Sequence, residues 1–139
     1  MTSVKLKSAF LLLTVVNLAT SFKIMGPSNA FAAPASANAL VNPLKGNVDA
    51  TAAGKKTYGA NCSTCHGLKG LGDGVAASGL SKAPANHSSS AVQSLSDGAL
   101  FWMITEGNNP MPSYKATYTD AQRWQLVNYI RTLAKSSKK

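Results

Sequence analysis

Two thiols and an imidazole stand together at Cys62-Ser63-Thr64-Cys65-His66, and Cys62 and Cys65 are the only cysteines in the chain. On a helical turn, residues i and i+3 lie side by side. Two such thiols can each add to one vinyl group of a single haem, and the imidazole of the next residue can then face the iron. C-x-x-C-H is the attachment pentad for c-type haem. Three other chemistries use part of this set. A C-x-x-C thiol redox site sits near a βαβ pattern, and the sequence shows none. A structural zinc site takes four ligands, whereas His66 and His87 are the only histidines. A plain disulfide would need the two cysteines alone.

An iron held by His66 calls for a second axial ligand, and the chain beyond its first 32 residues offers His87, Met103 and Met111. Met103 falls in a helical pattern three residues after Leu100 and reads as core packing. His87 lies in the polar stretch Ala85 to Ser90, with no apolar residues to wall off an iron, and reads as a solvated surface histidine. Met111 is held in Pro110-Met111-Pro112, on a loop after a helix stop at Gly107. Proline fixes its own φ and pushes the preceding residue toward extended geometry. The loop therefore presents the thioether in few conformations, and Met111 is the expected ligand.

The elements that must position these residues are helical. Asp49 can cap a helix that places Ala50, Ala53, Gly54, Thr57 and Tyr58 on one face. Gly54 costs such a helix about 1 kcal/mol relative to Ala, which points to close approach of another helix there. From Gly67 to Ser90 the chain is rich in Gly, Ser, Pro and Asn and reads as loop with a short helical turn. Ser96 or Asp97 can cap a second helix through Ala99, Leu100, Phe101, Met103 and Ile104, ended by Gly107. Thr119 and Gln122 form a capping box for the last helix, which aligns Leu126, Tyr129, Ile130 and Leu133, with Trp124 and Val127 beside them. Lys135, Lys138 and Lys139 lie at its far end, where positive charge suits the helix dipole. No strand-like alternation and no internal repeat is visible. The expected domain is all-α, with a core thin enough to need a staple.

The N-terminus reads as an export signal. Lys5 and Lys7 precede an apolar run from Ala9 to Phe22, and Ala30-Phe31-Ala32 supplies an A-x-A site. That run is 14 residues and is stopped by Lys23, whereas a spanning helix takes roughly 20. The competing reading is an uncleaved membrane anchor. The expected organisation is a signal peptide over 1–32, a flexible lead-in over 33–48 rich in Ala, Asn and Pro, and the domain proper over 49–139. Cleavage after Ala32 leaves 107 residues with 11 basic and 5 acidic side chains, a formal charge of +6. Export argues against nucleic acid as the partner of this charge, and no nucleic-acid module is visible. An acidic protein surface is the expected partner, with no stable membrane insertion once the signal is removed.

Taken together, these pieces resemble the class I c-type cytochromes over roughly Asp49 to Ala134. The resemblance rests on Gly54 and Tyr58 in the first helix, then Cys62, Cys65 and His66. Gly70, Gly72, Asp73 and Gly74 follow, then Ile104 and Gly107, Met111 and Pro112, and Trp124, Tyr129, Ile130 and Leu133. It implies a small cytochrome c fold of three main helices and long loops around one haem c. Thioethers at Cys62 and Cys65 would attach the haem, and His66 and Met111 would ligate its iron. It also implies that the first and last helices cross near Gly54 and Tyr129, and that a loop proline carbonyl holds the proximal imidazole, Pro84 being the nearest. The Met111-Pro112-Ser113-Tyr114 segment resembles small bacterial and photosynthetic carriers and cytochrome subunits of respiratory enzymes. The basic charge departs from many members and bears on the partner. The expected function is single-electron transport between redox proteins, without catalysis, in a periplasm or a thylakoid lumen. The alternatives are an electron-transfer subunit of a larger oxidoreductase, or a haem enzyme or gas-binding protein with an open iron position.

Overall fold

The computed structural model describes residues 32–135. The export signal, but for its last residue, and Lys138 and Lys139 lie outside the described residues. Among those described, the chain is all-helical: α1 (Val48–Asn61), α2 (Ser63–His66), α3 (Ser90–Gln93), α4 (Asp97–Glu106) and α5 (Asp120–Thr132), with short 3-10 turns at Ala35–Ala39 and Ala77–Gly79. A single isolated bridge pairs Asn108 with Met111. Three long helices carry the frame, as expected, and α2 and α3 are one-turn pieces within its connections.

The frame turns on the crossing of α1 and α5. A Cβ added at Gly54 would collide with the Gln125 carbonyl oxygen, so only glycine lets the two backbones meet. One turn further along, Tyr58 packs edge-on against Tyr129, with ring centroids 5.0 Å apart. Tyr58 joins Leu100, Ile104, Trp124, Leu126, Val127 and Ile130 in one buried cluster. On α5 the capping box forms as read: Thr119 and Gln122 each bond the other's backbone N–H. Ser96 caps α4, and Gly107 ends it at φ 69°, a left-handed conformation that favours glycine. Trp124 stacks on Phe101 at 4.1 Å, and the Arg123 guanidinium lies 5.0 Å over the same Phe101 ring, which ties α5 to α4.

Two expectations change. The cap of α1 is Asn47, whose side chain accepts from the Ala50 amide, and Asp49 sits in the first turn, where its charge suits the helix dipole. The segment 33–48, expected as a flexible lead-in, is exposed along most of its length but docks on the domain at Ala37 and Asn42. Ala37 is 2% exposed, and its carbonyl closes on Gly98 of α4. Asn42 is buried and donates to Asp97 at 3.0 Å and Asn128 at 2.8 Å, while Asn128 donates back to the Leu44 carbonyl. Small side chains let this segment approach α4, and its amides satisfy the buried polar groups. Neither device leaves the apolar periodicity by which packed segments are read.

Candidate functional site

The cysteine turn is held at both ends. The Cys62 amide donates to the Tyr58 carbonyl at 2.9 Å, so the turn continues from α1, and the His66 amide donates to the Cys62 carbonyl at 2.9 Å. Below it, the Gly72 and Gly74 amides donate to the His66 and Cys65 carbonyls at 2.8 and 3.1 Å. The glycine-rich loop thus closes the last turn by satisfying its carbonyls. Cys62, Cys65 and His66 therefore come together on one rigid helical turn, each half-buried.

His66 is oriented by a backbone carbonyl. Its Nδ1 lies 3.0 Å from the Ala85 oxygen, so Nδ1–H donates there and the lone pair resides on Nε2. This carbonyl is one residue past the Pro84 named from the resemblance. The Pro84 oxygen turns instead toward Gly72, 2.6 Å from where a Cβ there would stand. Burial lowers the pKa of His66, and the Ala85 bond opposes part of that effect, so neutral imidazole is the form held at neutral pH.

The expectation for His87 is overturned: it is not a solvated surface histidine. Its ring stacks on that of His66 with centroids 4.1 Å apart and an angle of 19°. Its Nδ1 lies 3.0 Å from the hydroxyl of Tyr58, a residue 1% exposed. Burial first, and then His66, push the pKa of His87 down to about 3, so it is neutral. The two rings lie face to face, beside one another. Its neighbours in sequence are polar, and its partners come from α1 and α2, so no local signal marks it.

Met111 stands on the loop between α4 and α5, half-buried against the core cluster. Asn108 and Met111 exchange backbone bonds of 2.9 and 2.8 Å, and the Tyr114 amide donates to the Ile104 carbonyl at 3.2 Å. The loop is thereby pinned to the end of α4. Three residues after Met111, the Tyr114 hydroxyl is pushed up to about 12 by burial, then by Cys62, Tyr118 and Cys65. Met103 is half-buried on α4.

The residues fit a covalent haem. Both thiols are free, and burial, then Cys65, pushes Cys62 up to about 11. A thiol-redox cysteine requires the opposite shift. Among the described residues, no group of three His, Cys, Asp or Glu side chains could hold a bare metal ion, which leaves no zinc set. Cys62, Met111, Tyr114, Tyr118, Tyr129 and Leu133 pack on the core while remaining half-buried.

A family model described as cytochrome c oxidase, cbb3-type, subunit III matches residues 49–130. No curated protein matches the chain. Among solved structures, a chain from a reducing HAO-like protein complex of Kuenenia stuttgartiensis is similar, with a TM-score of 0.60 and 29% identity over 67% of this chain and 47% of that one. This chain accordingly corresponds to less than half the length of that neighbour. The family match starts in the first turn of α1 and ends near the end of α5, taking in more than half of the chain and the whole helical frame around the cysteine turn. The chain therefore belongs to this family, as a class I c-type cytochrome domain suited to electron transfer by haem c.

Proposed function

We propose that this chain holds one haem c through thioethers at Cys62 and Cys65, with His66 and Met111 as axial ligands, and carries single electrons between redox proteins outside the cytoplasm. The observation that carries the reading is the tether of His66 to the Ala85 carbonyl, 3.0 Å away. It sets one tautomer and directs the Nε2 lone pair away from the loop, on the same turn as two free thiols. When bound, the haem supplies a one-electron iron couple, whose potential a thioether ligand raises. The rest is done by the chain. The pinned α4–α5 loop limits the excursions of Met111, so little rearrangement accompanies a change of charge. The half-buried tyrosines 114, 118 and 129 restrict water at the site, which acts on the potential electrostatically.

Lys55, Lys56, Lys69, Lys82 and Lys115 are all exposed, and such charge would steer an acidic partner more than it would tighten the complex. A second form of the same role, as the electron-transfer subunit of a larger assembly, draws support from the subunit named in the family description and from the neighbour's being part of a complex. Catalysis is not part of the proposal, because Met111 would fill the open iron position that a haem enzyme needs. Export to a periplasm rests on the N-terminal pattern of Lys5, Lys7 and the Ala30-Phe31-Ala32 site, and the mass of the mature N-terminus checks it.

The deciding experiment is a visible spectrum of the protein, oxidised and reduced, before and after denaturation with acid-acetone extraction. The expected result is haem retained on the polypeptide and a sulfur-to-iron charge-transfer band that is lost in Met111→Ala. Retained haem without that band in the wild type returns the enzyme and gas-binding readings. A chain that takes up no haem in a host with a working attachment system ends the proposal.

A further inference from the structure

His87 answers a question that the Ala85 tether leaves open. A single hydrogen bond to Nδ1 fixes which nitrogen of His66 carries the proton, but the imidazole can still rock about that bond. The His87 ring covers one face of His66, 4.1 Å away and within 19° of parallel, and so opposes that rocking. His87 is itself held on several sides. Its amide donates to the Gly70 carbonyl at 2.6 Å, and its carbonyl accepts from Gln93 at 2.7 Å. Gln93 also donates to the Ile130 carbonyl of α5 at 2.9 Å. Its ring edge meets the Tyr58 hydroxyl at 3.0 Å.

The Tyr58 hydroxyl stands between the stacked ring and the peptide that follows His66. The Tyr58 oxygen lies 3.3 Å from the Gly67 carbonyl. With Tyr58 donating to Gly67, the Nδ1–H of His87 can donate to the Tyr58 oxygen. Gly67 is the residue after His66, so the contacts run from the stacked ring through the core tyrosine hydroxyl to the residue that follows the ligand. Glycine at position 70 makes room for it, since a Cβ there would meet the Leu133 side chain at 2.8 Å and the His87 Cβ at 3.0 Å.

We propose that His87 is a positioning residue for His66, its stacked ring fixing the plane of the imidazole while Tyr58 fixes the stacked ring. This rests on His66 ligating the haem iron. In ferric low-spin haem, the orientation of the axial imidazole plane sets the spread of the principal g-values, a quantity that folding alone does not control. The test is frozen-solution electron paramagnetic resonance of the ferric holoprotein at one pH, for wild type, His87→Phe and His87→Leu. Both variants are apolar and fill the site, but only phenylalanine presents a flat face to His66. Circular dichroism checks that both variants keep the wild-type helix content. The expected result is wild-type g-values in His87→Phe and shifted or broadened ones in His87→Leu. Wild-type g-values in His87→Leu, or equal shifts in both variants, would overturn the proposal. A wild-type spectrum without a low-spin, histidine-ligated haem would instead remove the ligand assignment on which it stands.

Discussion

His66 and Met111 are held by different devices, and the difference decides what each substitution should do. His66 sits on a hydrogen-bonded helical turn and is tethered through Nδ1 to Ala85, whereas Met111 depends on the backbone bonds of its loop. Removing the methionine thioether should therefore leave the fold standing and open the iron. Met111→Ala is expected to keep its covalent haem and wild-type helix content while the reduced protein gains reactivity with carbon monoxide; a variant as inert as wild type would count against ligation. Tyr58→Phe removes the hydroxyl between His87 and Gly67 and should cost about 1–3 kcal/mol in unfolding free energy, because a buried partner is left unsatisfied. Denaturant titration of the holoprotein measures it, and a loss below a few tenths of a kcal/mol would show the hydroxyl contacts to be idle. The cysteine turn was legible at this scale because its chemistry is written in five consecutive residues. The carbonyl at Ala85 and the stack at His87 were not, since both depend on how a glycine-rich loop folds back on α2.

Gly54 shows how an element can be read from a residue that contributes nothing but absence of volume. Its place in a helix was costly by propensity, and the crossing with α5 supplies the reason: a Cβ would collide with the Gln125 carbonyl. Gly59, one turn and a residue on, has nothing within 4 Å of its Cβ position. Gly54→Ala should destabilise by about 1–3 kcal/mol or more through overpacking against backbone, while Gly59→Ala should stabilise by about 0.4–1 kcal/mol. Paired thermal melts check the contrast, and two changes of the same sign would contradict the crossing.

Asp97 tests the other unread feature, the docking of 33–48. Burial raises its pKa, but hydrogen bonds from Asn42 and Arg131 and the charge of Arg131 outweigh that, and the carboxyl is held below the usual range. Such a group stabilises the fold at pH above its unfolded value near 4, and the contribution is lost as pH falls through the lower folded value. Asp97→Asn is expected to lose about 1–3 kcal/mol at neutral pH, with the gap to wild type closing on acidification below about pH 4. A gap that stays constant down to the acid limit would place the role of Asp97 in packing rather than charge. Here the sequence was silent because the Asn42, Asp97, Asn128 and Arg131 network joins residues up to 86 positions apart.

For the molecule as a whole, the three long helices and their order were readable because caps and apolar spacing are local, and the charge was readable by counting. How that charge is used depends on what the fold leaves uncompensated. Among the described residues, the ion pairs are Arg123 with Asp120 and Arg131 with Asp97. Both arginines are thus committed to structure, and the exposed lysines at 45, 55, 56, 69, 82, 115 and 135 supply the positive field. Such a field acts over roughly 8 Å at physiological ionic strength and 30 Å at 0.01 M. If it surrounds the point where electrons enter and leave, reagents of opposite charge must respond to salt in opposite directions. The reduced protein should transfer its electron to an anionic one-electron oxidant more slowly as salt rises, and to a cationic one faster. Replacing Lys55, Lys69 and Lys115 with glutamine should flatten both slopes while leaving the visible spectrum unchanged. Stopped-flow rates across a salt series measure this without any need to know the natural partner. Slopes of the same sign for both reagents would mean that the lysines surround some other face, and that their charge serves solubility rather than the encounter.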